Sequence, residues 1–382
     1  GPFHGGFIGA LAYDLGASGE RAVETGPARA DLPPTAGGNY VDFLVREREG
    51  GPWWLVLGAG ALDGRADLET RRRALERELA RPDPQAPARA AEPVRLVPAR
   101  EHRRRIADVR ERIAAGDVYQ VNLAHPFACA TRGDPIDFYR ALRRVNPAPH
   151  MGYCSVERDG VRCGALLSAS PELLLEHDGE LLRTRPIKGT APRGATPAQD
   201  RALAAALLAS EKDRAELAMI VDLERNDLGR IARPGGVWVE DWPRLESYAR
   251  VHHLQADVVA RPARGIGALE ALAALFPGGS VTGAPKLAAM QVIGALEGHG
   301  RGYFSGALGF LDVRGRAAFN LLIRTLEWRP KTDGAGGAWD GEVLFQVGGG
   351  ITWSSDPRAE DQETLAKARG LIEALASAEE AR

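Results

Sequence analysis

The chain has 382 residues, 44% of them hydrophobic and 26% charged, with a formal net charge of -2. That length supports one large or two ordinary domains, and the near-neutral balance argues against an electrostatic grip on nucleic acid or an anionic membrane. Cys129, Cys154 and Cys163 fit neither a disulfide framework nor a zinc signature, and the most apolar helical run, ALAAALLA at 202–209, is too short to span a bilayer, so a soluble cytoplasmic protein is expected.

From the start of the chain, FHGGFIGALAYDL at 3–15 alternates glycine with apolar residues, the pattern of a buried strand closely approached by another backbone. VDFLVRER and PWWLVLGAG read as strands and 67–80 as an arginine-rich amphipathic helix. Residues 81–98, rich in proline and alanine without apolar period, read as a linker. HRRRIADVRERIAAGD is a helix with Ile106, Val109 and Ile113 on one face, ending near Gly116. A strand at 118–125, a helix at 134–145 and strands through 150–184 follow, the last broken at Asp159-Gly160 and Asp178-Gly179. Helices are expected at 197–209, 211–232, 267–275 and 286–297, and strands at 236–260, 302–313, 317–328 and 342–353. A final helix starts at Pro357, with Asp356 suited to its N-cap. Strands and helices come in groups and not in βαβ alternation, which predicts an α+β fold of large, mixed, mostly antiparallel sheets flanked by helices.

Several clusters carry chemistry. Lys188 lies in LLRTRPIKGTAPRG beside Pro186 and Gly189, held after a strand. If Arg183, Arg185 and Arg193 also approach it in space, their charge disfavours protonating the lysine and makes its amine a nucleophile; otherwise it is a solvated turn lysine. Asp213 and Glu216 stand three apart on one helix, as do Glu360 and Glu363 on another. Were the two faces to meet they would form a hard oxygen site for Mg2+; apart, they are ordinary surface salt bridges such as Glu363 with Lys367. QVGGGIT and GGSVTGAPK match no nucleotide fingerprint but offer backbone N–H groups to an anion. Arg324 reads as a carboxylate clamp or a solvent-facing edge residue, and Glu172 as a general acid or a surface glutamate; a hairpin near Gly179 would bring Glu172 and Lys188 together. A non-catalytic alternative, an anion- or nucleic-acid-binding protein using the Arg-rich helices, predicts steeply salt-dependent binding to polynucleotide.

The stretches DVYQVNLAH, SASPELLLE, RPIKGTAPRG, SEKDRAELAMIVDLERNDLGR, VHHL, FPGGSVTGAPK, FNLLIRT, VGGGIT and SSDPRAEDQETLAKA occur in this order from about residue 102 onward. Together they resemble the chorismate-utilising enzymes, which make anthranilate, 4-amino-4-deoxychorismate, isochorismate or salicylate. The resemblance implies a catalytic domain over 96–382, with 1–95 as an N-terminal region plus linker. It implies Glu216 and Glu363 as Mg2+ ligands with Asp213 and Glu360 beside them. It also implies that Gly189, Thr190, His253, Thr282, Tyr303, Arg324, Gly349, Gly350 and Lys367 line the chorismate site, and that Glu172 is the acid for the departing C4 hydroxyl. Gln120 stands where the water-using members carry a lysine base, which disfavours water as the nucleophile. Lys188 stands where anthranilate-forming members carry a small residue. The expected activity is therefore Mg2+-dependent amination of chorismate at C4 through a covalent Lys188 intermediate, with anthranilate formation as the alternative. Ammonia is expected from a glutamine amidotransferase, separate or fused.

Overall fold

A computed structural model describes residues 3–18, 32–46, 50–58, 65–80, 88–331 and 340–380. The helices start and stop where side-chain chemistry dictates. Asp134, Thr196, Ser210 and Asp356 each accept a backbone N–H at the start of the helices Pro135–Val145, Pro197–Ala209, Glu211–Gly229 and Pro357–Ala376. The helix Ala99–Ala115 ends at Gly116, which takes the left-handed conformation (φ 85°) that a side chain would disfavour.

Two antiparallel sheets form the body. The first has nine strands, running Ile187–Pro192, Val251–Pro262, Leu182–Arg185, Leu173–His177, Ala317–Leu321, Ala307–Asp312, Gly6–Leu11 and Thr35–Tyr40, with Ala232–Ser247 also paired to Val251–Pro262. The second has eight: Gly283–Ala284, Gln120–Arg132, Asp340–Ile351, Thr325–Pro330, Val161–Ser170 and His150–Arg158, with Arg89–Ala90 and Val94–Arg95 added to Gln120–Arg132. The expected α+β architecture is what forms. Each sheet buries one face beneath helices. Leu217, Leu254, Leu275 and Phe319 fill the first core and Phe138, Leu142, Trp328 and Leu371 the second. Each such buried side chain contributes about 1.5–3 kcal/mol.

Three local expectations change. The 81–98 segment, expected to be a free linker, is fastened from residue 88 onward: two short strands pair with Gln120–Arg132 and Arg95 bonds Asp361; residues 81–87 lie outside the described residues. The N-terminal strand Gly6–Leu11 is not set apart either, because it sits between Ala307–Asp312 and Thr35–Tyr40 in the first sheet. Its glycines are needed there: a Cβ on Gly9 would lie 2.2 Å from the Ala36 carbonyl oxygen.

The strand expected over 317–328 breaks in two. Ala317–Leu321 belongs to the first sheet and Thr325–Pro330 to the second, with Arg324 between them at φ 50°. A left-handed arginine is uncommon and marks a site where the surroundings hold the backbone. A second passage between the sheets runs from Val161–Ser170 through Pro171 and Glu172 to Leu173–His177. The passages are bonded to each other, Leu321 N–H donating to the Glu172 carbonyl (3.1 Å) and Ala169 N–H to the Arg324 carbonyl (3.0 Å). Glu172 and Arg324 thus both emerge at the seam.

Candidate active site

Lys188 lies on Ile187–Pro192, opposite Leu254. Its amine donates a long hydrogen bond (3.4 Å) to the Ser280 carbonyl. A Cβ built on Gly350 would lie 3.5 Å from Lys188 Nζ and 2.5 Å from Gln120 Nε2, so Gly350 leaves room for both side chains. Burial lowers the Lys188 pKa below that of an ordinary lysine; Glu172 opposes the shift and Lys367 adds to it. The cause expected from the sequence was different. Arg183 and Arg185 are bound to Asp257 (2.7 and 2.5 Å) and Arg193 to Asp200 (2.7 Å), so the arginines are neutralised by carboxylates and it is desolvation that favours the free amine.

Glu172 is 5% exposed at the seam. Burial raises its pKa, against the lowering influence of Ser280, Lys188, the Ile187 backbone and Arg324. The hairpin Leu173–His177 to Leu182–Arg185 brings it into the field of Lys188. Arg324 is itself depressed by burial, with Glu172 the one opposing charge. Its guanidinium makes no hydrogen bond among the described residues, leaving its planar donor fork free for a carboxylate.

Thr190 and His253 are cross-strand partners joined by a 2.9 Å hydrogen bond between Thr190 Oγ1 and His253 Nδ1. Burial pushes His253 down to about 4, helped by Arg324, so the ring is neutral. Gly189, at φ 80°, carries the chain past Asp213: a Cβ there would lie 2.9 Å from the Asp213 Cβ. Among the described residues, Gln120 Nε2 and Oε1 and His253 Nε2 are buried polar atoms of this region without a hydrogen-bond partner, and Ser280 Oγ has only the Glu172 carboxyl to turn to. Unpaired buried polar atoms cost about 1–3 kcal/mol each, so their concentration around one amine marks a polar ligand site. Ser280 is the member that sequence reading missed; its signal was the GGSVTG turn, where Gly279–Val281 forms a 3-10 helix.

The acidic residues of the two helices lie within one another's field and within that of Lys188. Burial raises Glu216, with Asp213 and Glu363 adding to the shift and Lys188 and Lys212 opposing it. Burial likewise raises Glu360, whose Oε1 accepts from Ser355 (2.7 Å) while Glu363 adds repulsion. For Glu363, burial is outweighed by Lys367, 2.8 Å away, and the carboxyl stays below its ordinary value. Lys367 also donates to the Gly348 carbonyl (3.0 Å). A Cβ on Gly349 would fall 3.5 Å from Glu360 Oε2 and 3.8 Å from Lys367 Nζ. No three of these four acids bring one carboxylate oxygen each within 4.8 Å of one another, so they would contribute only part of a coordination shell. Mutually repelling hard oxygen donors fit Mg2+, which completes its shell with water or substrate oxygens.

Two further expected members have their hydroxyls engaged within the protein. Tyr303 is buried among Ala10, Cys154, Val156 and Leu308 and donates its hydroxyl to the Pro33 carbonyl (2.6 Å). Thr282 turns its hydroxyl back to the Gly278 carbonyl (2.9 Å), bracing the turn that carries Ser280.

Behind that turn lies Glu224, 2% exposed, accepting from Gly279 N–H (3.2 Å). Burial pushes its pKa up to about 8 although Lys286 opposes it. Folded Glu224 therefore keeps its proton where the unfolded chain, titrating near 4.5, has lost it, and stability drains away as pH rises between those values. Glu224→Gln should remove that loss: its advantage over wild type should grow by roughly 1 kcal/mol per pH unit and level off above about 8. Urea unfolding at pH 5.5 and 8.5 tests this, and an equal difference at both would show the carboxyl is ionised in the fold.

Comparison with known proteins places this geometry. Residues 1–373 match the family model described as chorismate binding enzyme. Anthranilate synthase component 1 of Streptomyces coelicolor is 39% identical over 401 residues, spanning 100% of this chain and 74% of that protein. Aminodeoxychorismate synthase component 1 of Klebsiella aerogenes is 37% identical over 380 residues, spanning 98% and 78%. The crystal structure of anthranilate synthase component I from Streptococcus pneumoniae superposes with a TM-score of 0.84 at 30% identity, over 97% of this chain and 81% of that one. No helix among the described residues is long and apolar enough to cross a membrane. With its seam, its half-buried amine and buried acid, and a match running nearly end to end, the chain belongs to the chorismate-binding enzyme family, among the anthranilate and aminodeoxychorismate synthases.

Proposed function

We propose that the chain aminates chorismate at C4, giving 4-amino-4-deoxychorismate. The observation that carries this reading is Lys188, a desolvated amine inside the site beside Gln120, Gly350 and the acid Glu172. The neutral amine attacks C2 of the substrate ring, both ring double bonds shift along the conjugated path, and the C4 oxygen leaves as water on taking the Glu172 proton. Ammonia then attacks C4, both double bonds shift back, and the lysine amine departs from C2. Two transposed displacements put nitrogen where oxygen was. Arg324 and the glycines of VGGGIT hold the carboxylates, and the amide of Gln120 has no titratable base to activate water.

Glu216 and Glu363, with Asp213 and Glu360, would hold Mg2+, which when bound supplies positive charge to offset the substrate dianion. Ammonia comes from a glutamine amidotransferase subunit, in keeping with relatives named as component 1. Those relatives divide between two products, so the second reading is direct amination at C2 to anthranilate. Chromatography of the products of chorismate, Mg2+ and ammonium separates the two: 4-amino-4-deoxychorismate is expected, and anthranilate appearing directly defeats the proposal.

A further inference from the structure

Outside the site, His102, His125 and Asp361 form a buried cluster (1%, 0% and 2% exposed) that the proposed reaction does not use. The three come from the helix Ala99–Ala115, the strand Gln120–Arg132 and the helix Pro357–Ala376. Asp361 Oδ1 accepts from His102 Nδ1 (2.8 Å) and from Arg95 Nη2 (2.5 Å). Thr364 donates its hydroxyl to the Asp361 carbonyl (2.8 Å), so its oxygen must accept from His125 Nε2–H (2.9 Å). These bonds fix both tautomers, and the rings stack edge to face at 4.4 Å. A cation seated here would share its carboxylate with a guanidinium, which favours a hydrogen-bonded brace over a metal site.

What the brace holds is the helix Pro357–Ala376. Glu360, Glu363 and Lys367 recur at spacings of three and four and share one face of it; Asp361 and Thr364, each one position further on, share the neighbouring face. The neighbouring face is pinned at two points one turn apart, so the rotation of the helix about its axis is set by His102 and His125. Resting on the reading of the acidic face as the Mg2+ site, we propose that His102 and His125 are positioning residues that fix the rotation of this helix and thereby the separation of Glu360 and Glu363 from Glu216.

The test measures Mg2+ binding by isothermal titration calorimetry, alongside the Mg2+ dependence of chorismate turnover with ammonium. Thr364→Val and His102→Ala should weaken Mg2+ binding and raise the half-saturating concentration about tenfold, with turnover at saturating Mg2+ and the ammonium KM little changed. His102→Asn, whose amide can replace the Nδ1 donor, and His125→Gln, which can replace Nε2, should restore binding to near wild type. Circular dichroism confirms folding, and Thr364→Val, nearly isosteric, serves should His102→Ala fail to fold. A Mg2+-dependent wild type whose folded variants keep its binding constant overturns this proposal alone. A wild type that neither binds Mg2+ nor responds to it overturns the metal reading and this proposal with it.

Discussion

Lys188→Ala is expected to abolish the 4-amino product, lowering its rate by roughly 10^3-fold or more, because it removes the amine that bonds to the ring. Lys188 is absent from the hydrophobic cores, so the variant should fold with the two sheets intact. Loss of the lysine also removes what diverts nitrogen to C4, and slow, direct anthranilate formation is the expected residual reaction. Rapid quenching of wild type with chorismate and no ammonia should leave protein heavier by the ring fragment; the variant should show none. A 4-amino rate unchanged by the substitution would refute the covalent step.

Glu172→Gln should cost about 10^2–10^4-fold in turnover with little change in the chorismate KM, since it removes the proton and keeps the shape. The pH profile gives the sharper signature. Burial raises Glu172, so its acid form persists above the usual carboxyl range, and burial lowers Lys188, so its free amine persists below the usual lysine range. Turnover requires Lys188 without its proton and Glu172 with one. Acidification therefore costs activity by protonating the lysine, and alkali costs activity by ionising the acid. Glu172→Gln should erase only the alkaline limb. A variant that still loses activity at high pH as wild type does would show that another group is the acid.

Much of this was legible in the sequence because it is local. Pro and Asp at helix starts, glycine at a helix end and the Asp178-Gly179 hairpin each act within a few residues. The acids at spacing three announced shared helix faces, and the helices do bring Glu216 and Glu363 into each other's field. What stayed hidden is set by distant partners. FNLLIRTLEW reads as one continuous strand, and nothing in its pattern says that its halves pair with different sheets. Arg183 and Arg185 found carboxylates on strands far along the chain and Arg193 one on the next helix, so counting charges in a local window pointed to the wrong cause. Tyr303 donates its hydroxyl to a carbonyl of the N-terminal segment, a partner that no local pattern announces. His102, His125 and Asp361 share no motif, and their meeting depends on how one helix lies across a sheet.

The paired passages at Glu172 and Arg324 bear on how this protein can change over time. The first sheet draws its strands from 6–11, 35–40, 173–262 and 307–321, and the second from 89–170, 283–284, 325–330 and 340–351, so neither owns an unbroken length of chain. No single crossover between two relatives can exchange one sheet and leave the other, and each half of the catalytic apparatus inherits its neighbour. Variation on this scaffold is therefore a matter of single side chains at the boundary and not of exchanged segments.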